Sequence, residues 1–178
     1  MVNSDIKIIH LGYNRERSEM EKKVQRNYRL LLQHVKEEPT NGYAWYQLGQ
    51  TLAQMRLIDE AEKAINLAIS CGNLSNSILA SASATLAQLT GNKKKFEEAL
   101  KWANLSLEKA PEQIYALHLK GFALLYLKKF EEAEEIFREV LIRMKKKRGI
   151  PQSGFDIEIP EDIILKGLEK SINKDSSL

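Results

Sequence analysis

The chain has 178 residues, 43% of them hydrophobic and 29% charged, enough for one globular domain with its own core. A net charge of +3 with a pI near 8.8 is too mild to point to nucleic acid. The single cysteine, Cys71, excludes an internal disulfide, and no apolar run approaches the ~18 residues that a membrane span needs.

In chain order, residues 5–13, DIKIIHLGY, carry the β-branched Ile6, Ile8 and Ile9 and end at Gly12, which predicts an extended arm over residues 1–14. The stretch Met20 to Pro39 reads as one helix with Leu30, Leu31, His34 and Val35 on its apolar side. It predicts a capping helix over residues 15–40, standing where the second helix of a degenerate repeat would stand. From residue 41 to residue 145 the chain repeats itself. Three words recur, Ile58-Asp-Glu-Ala61, Phe96-Glu-Glu-Ala99 and Phe130-Glu-Glu-Ala133. Their alanines are 38 and then 34 residues apart. Pro111 follows Ala99 by twelve residues, and the turn former Asn73 follows Ala61 by the same distance. Trp45 and Leu117 precede Ala61 and Ala133 by sixteen residues, and Gly49 and Gly121 precede them by twelve. A coiled coil would show a period of seven without recurrent Gly and Pro.

This pattern resembles the tetratricopeptide repeat, W-x2-L-G-x2-Y followed by A-x3-F and P, at ~34 residues per repeat. The first copy matches through Trp45, Leu48, Gly49, Leu52, Ala61, Ile65 and Ala68, and the third through Leu117, Gly121, Leu124, Ala133, Phe137 and Val140. The second is looser. Ser83 stands in the glycine position, and four extra residues fall around Thr90 to Lys95, which predicts an added turn on the first helix or a longer loop. The expected fold is all-α, a right-handed α-solenoid of three helix–turn–helix repeats (41–75, 76–113 and 114–145) with a helix on either side. Residues 146–159 read as a linker, and residues 160–178 as an amphipathic helix, Glu161 to Ile172, with a frayed tail. That last helix is either a cap or a movable occupant of the groove. The basic run Lys145 to Arg148 reads as a helix end complementing its dipole.

A second resemblance covers the first 40 residues. Ile6-x-Ile8-Ile9-His10-Leu11-Gly12-Tyr13, followed by Lys23-x-x-Arg26-Asn27-x-x-Leu30-Leu31 and then repeats, is similar to bacterial family-2 glycosyltransferases with repeat tails. The resemblance implies a non-catalytic tail, since the catalytic α/β domain and its acidic metal motif are not in the chain. Asp156-Ile-Glu158 lies in a Gly/Pro-rich stretch and does not supply that motif.

The tetratricopeptide resemblance implies a concave groove lined by the first helix of each repeat. The residues on that face are Tyr43, Tyr46, Gln50 and Gln54, then Ser77, Ala80 and Ala84, then Tyr115, His118, Phe122 and Tyr126. The groove is neutral and aromatic, and suits a protein or peptide partner. Tyr46 and Gln50 stand where chaperone adaptors carry the Lys and Asn of their carboxylate clamp. His10, His34 and His118 lack a metal-ligand spacing, Cys71 reads as an ordinary thiol, and no cofactor or metal is expected. The expected function is a non-enzymatic interaction module, with no nucleic-acid partner, in a reducing cytoplasm. The partner could also be its own last helix or a neighbouring catalytic domain. The alternatives are a part in glycosyl transfer through His10 to Tyr13, or homo-oligomerisation.

Overall fold

The structure, a computed structural model, describes residues 11–147 and 159–174, with side chains described for residues 19–146 and 159–174. It contains α1 (Leu11–Glu37), α2 (Gly42–Gln54), α3 (Ile58–Ser70), α4 (Asn76–Asn92), α5 (Phe96–Lys109), α6 (Ile114–Tyr126), α7 (Phe130–Lys147) and α8 (Glu161–Ile172). No strand occurs among the described residues. Each helix packs on the next, so the chain is an α-solenoid of three hairpins, α2–α3, α4–α5 and α6–α7, with α1 before and α8 after.

The hairpin turns contain no glycine, yet they end their first helices in the same way. Arg56, Lys94 and Lys128 adopt left-handed backbone at φ 62°, 60° and 61°. The amides of Leu57, Lys95 and Lys129 donate back to the carbonyls of Leu52, Thr90 and Leu124, each at 3.0 Å. This six-to-one bond is the Schellman closure, which satisfies the last carbonyls of a helix. The second helix then starts on acidic pairs, Asp59–Glu60, Glu97–Glu98 and Glu131–Glu132, which favour a helix N-terminus. Side-chain caps start α2 and α4: Asn41 accepts from the Ala44 amide and Ser75 from the Ile78 amide.

Glycine sets the closest helix crossings. A methyl group on Gly49 would collide with Ile65, and one on Gly121 would lie 2.8 Å from Phe137 Cε1. In the middle repeat Ser83 and Ala103 stand at the corresponding positions, both fully buried. With only alanine on the second helix, the first helix has room for serine in place of glycine, and the middle crossing is made of two small side chains. Between hairpins, Trp45 Nε1 donates to the Pro39 carbonyl at 2.8 Å, and Arg143 donates to the Pro111 carbonyl at 2.6 Å. Asn73 accepts from the Gly42 amide and donates to the Thr40 carbonyl, tying the second inter-repeat loop to the first.

Several expectations change. Residues 11–14 belong to α1 rather than to an extended arm, and residues 1–10, with His10, lie outside the described residues. Lys146 and Lys147 still belong to α7, so the linker begins later than residue 146; residues 148–158, with Arg148, Asp156 and Glu158, and residues 175–178 also lie outside the described residues. The four-residue insertion is an added helical turn: α4 has 17 residues where α2 and α6 have 13. The last helix is a cap. Ile164 is fully buried, and Gly167, like Gly121, abuts the Phe137 ring, with Lys174 repeating the left-handed turn at φ 53°. α8 thus has the register of a first helix and completes the core of the third hairpin.

Candidate functional site

Charge is segregated along the chain. The three first helices α2, α4 and α6 hold one formally charged residue among them, Lys120, whereas α3, α5 and α7 are densely charged. The face shared by the first helices is therefore built from hydroxyls, amides and rings.

Its first half is a hydrogen-bonded network. Gln50 Nε2 donates to Tyr46 Oη at 2.9 Å and to Thr85 Oγ1 at 3.1 Å, joining α2 to α4. Burial raises the Tyr46 phenol above its ordinary value, while hydrogen bonds to Gln50 and Ser81 pull the other way. Tyr43 is half exposed, lies beside Tyr46 at 6.4 Å between ring centres and accepts from Gln47. Gln54 and Ser77 are exposed. Ala80 and Ala84 are buried, so they offer a guest no surface. Ser81 and Thr85, which the sequence did not single out, supply the polar contacts of α4 on this face.

The second half is a ladder of rings along α6. Tyr115 stacks on His118 at 6.0 Å, His118 meets Phe122 edge-on at 5.0 Å, and Phe122 stands 6.4 Å from Tyr126. Tyr126 stacks on Phe96 of α5 at 4.7 Å, and Phe122 reaches the core ring of Phe137 at 5.0 Å. The spacing 115, 118, 122, 126 puts all four on one side of a helix. They are half-buried, so these rings serve the fold as well as the surface. Burial alone pushes Tyr115 up to about 12 and His118 down to about 4. His118 is therefore neutral at pH 7, and its Nδ1 is buried without a hydrogen-bond partner.

His118, Phe122 and Tyr126 of the ladder form one wall of a cleft of about 410 Å³. The end of α4 makes the opposite wall through Gln88, Gly91, Asn92 and Lys94, and Ile163 of α8 contributes from beyond. Phe96, Lys94 and Ile163 were missed as site residues. The insertion at Thr90 to Lys95 was the available signal, because the turn it adds brings Gly91 and Asn92 alongside α6. Among the described residues no cluster of three or more His, Cys, Asp or Glu could hold a metal ion, and no helix is long and apolar enough to cross a membrane.

Residues 42–70 and 114–141 match the tetratricopeptide-repeat family model, the two hairpins in which glycine sets the crossing. These two hairpins are tetratricopeptide repeats. The intervening repeat, with its serine and its added turn, falls outside the matched stretches. Among solved structures, the chain is similar to YrrB, described as a tetratricopeptide protein with an unusual peptide-binding site. That match has a TM-score of 0.61 at 14% identity over 88% of this chain and 80% of that one. MamA matches with a TM-score of 0.64 at 13% identity over 97% and 96%. A double mutant, MamA RS-1 ArsTM, matches with a TM-score of 0.62 at 15% identity over 89% of each chain. At these identities the likeness is one of fold. No curated protein sequence matches the chain. The expected link to family-2 glycosyltransferases gains no support from the family model or from these structures. Within the motif quoted for it, Asn27 donates to Thr51 and Leu31 is buried against the first repeat. Both residues thus have a packing reason that the repeats alone require.

Proposed function

We propose that the chain is a non-catalytic scaffold that binds a protein or peptide segment across the shared face of α2, α4 and α6. The observation that carries this reading is the face itself, an uncharged surface whose polar half adjoins a ladder of half-exposed rings. Rings supply contact area at low entropic cost, and amides and hydroxyls pair with a main chain without the desolvation cost of ions. The peptide-binding site named for YrrB supports the reading by analogy of fold. Selection of random peptides displayed on phage against the whole chain tests it. Enriched peptides should lose binding on Tyr43→Ala combined with Gln54→Ala, two exposed positions whose replacement leaves the fold intact. If selection enriches nothing for a chain shown to be folded by circular dichroism, the scaffold reading fails. For its setting we infer the tail of a bacterial glycosyltransferase, from residues 6–31 alone. An α/β domain encoded in frame upstream of Met1 would support that setting, and a different upstream domain would remove it.

A further inference from the structure

The middle repeat departs from its neighbours in two linked ways. Its first helix is one turn longer, and the turn that follows is Lys93-Lys94-Lys95. The outer two lysines are engaged within the chain: Lys93 pairs with Asp59 and Glu62 of α3, and Lys95 with Glu98 of α5. Lys94 has no ion pair among the described residues and lines the cleft. Among the described residues it is the only charged one that does so. The other polar side chains at the lining are the amides of Gln88 and Asn92 and the imidazole of His118, whose Nδ1 has no partner. No carboxylate of the described residues lines the cleft. The remaining walls are apolar, with Phe96, Phe122 and Ile163 among them. An occupant that fits both properties brings a bulky apolar group and one negative charge at the lysine lip. The face continues past the cleft over the Tyr46–Gln50–Thr85 network, so a bound chain has surface to follow on that side.

We propose that this cleft is the specificity pocket of the scaffold, receiving a large apolar side chain from an internal stretch of partner peptide whose adjoining Asp or Glu meets Lys94. The inference rests on the scaffold reading and adds to it the class of peptide. The ammonium that it uses lies at a hairpin turn made by the insertion, not at the Tyr46 and Gln50 positions where a carboxylate clamp would sit. A carboxylate at Lys94 replaces solvent on an exposed cation, so it selects among peptides more than it adds affinity. The apolar side chain supplies the affinity by leaving water.

Two variants isolate the pocket. Gly91 faces the cleft with ordinary room around it: an added methyl group would come no closer than 3.8 Å, to Ala99 Cβ. Gly91→Leu therefore fills the cleft while giving α4 a better helix former, so it should fold at least as well as the parent chain. Lys94→Gln removes the charge. The peptide selection described above should enrich sequences in which a large apolar residue adjoins Asp or Glu. Synthetic copies of one such peptide, with both ends blocked, are then measured by fluorescence anisotropy. Binding should be lost to Gly91→Leu. It should weaken several-fold with Lys94→Gln for the acidic peptide and stay unchanged for its Asp→Asn or Glu→Gln analogue. Peptides that bind Gly91→Leu as well as the parent chain overturn the pocket and leave the scaffold reading standing. So does an acidic preference that survives Lys94→Gln. A requirement for a free C-terminal carboxylate overturns the internal stretch. The absence of any binding peptide defeats the pocket and the scaffold together.

Discussion

At the scale of single residues, three packed groups make separate predictions. Ser83 fills the glycine position with a hydroxyl that has no hydrogen-bond partner. Ser83→Ala removes a desolvated polar atom and keeps the small volume, so it should be neutral or stabilising by up to about 1 kcal/mol in denaturant titrations. Gly121 has the opposite problem, because any Cβ presses on Phe137. Gly121→Ala should cost about 1–3 kcal/mol despite the better helix propensity of alanine. His118 gives a pH dependence whose sign follows from its burial. Its imidazole titrates near 4 in the fold, against an ordinary value of 6.5. Between those values the unfolded chain binds a proton that the folded chain refuses, so this contribution is complete above pH 6.5 and is lost as pH falls towards 4. The loss amounts to at most about 3 kcal/mol. Glu38, Asp59 and Glu131, whose carboxyls lie below their usual range, also lose native partners in acid. The difference between the parent chain and His118→Phe, measured from pH 7 to pH 4, isolates the histidine. Most of this was legible in the sequence as position and little as environment. Spacing placed His118 and Tyr126 on one face, but nothing in the chain order shows that Phe96 of the preceding helix stacks on that face.

At the scale of helices, the hairpins were legible because small residues recur where helices cross, and the cap α8 because its apolar positions keep helical spacing. The turns were harder. A glycine usually marks a left-handed helix end, and here Arg56, Lys94 and Lys128 take that conformation. The residues of α1 before Met20 gave no periodic signal, and among its described side chains, from residue 19 on, Leu31 is the first buried. Amide hydrogen exchange should therefore be fast over residues 19–30 of α1 and slow across α3 and α6, whose buried faces hold them in the core. The last helix makes the reverse prediction. Removing residues 160–178 uncovers the Phe137 ring and takes away the fully buried Ile164. Melting should then drop by at least several degrees, as expected for the loss of 2 kcal/mol or more, roughly, from a domain of this size. A truncated chain that melts like the parent would show that α8 is dispensable to the fold.

At the scale of the molecule, the solenoid holds two apolar clusters. One is centred on α1 to α4 and the other on α6 to α8. Between them runs a seam of small side chains, with Ala80, Ala84, Ala87, Ala99 and Ala103 buried along α4 and α5. The ion triad of Lys93 with Asp59 and Glu62 joins the middle hairpin to the first. Its partners raise the Lys93 ammonium above its ordinary value and hold the Asp59 carboxyl below its own. The Asp59 contribution is present above the usual carboxylate range and is lost as pH falls through its lowered folded value. Screening by salt should weaken this tie, so Lys93→Met should flatten the dependence of melting on ionic strength below pH 9. The repeat period disclosed the architecture because each hairpin must bury the same face against its neighbour. It disclosed much less of the candidate site, which lies where the period is broken.

That broken period bears on how a guest would find its place. Rungs of one length present the same shape at each step, and a pliant ligand laid along them could settle at any of several offsets. A single longer rung removes this freedom. With α4 one turn longer than α2 and α6, the row acquires an origin from which every other position is counted.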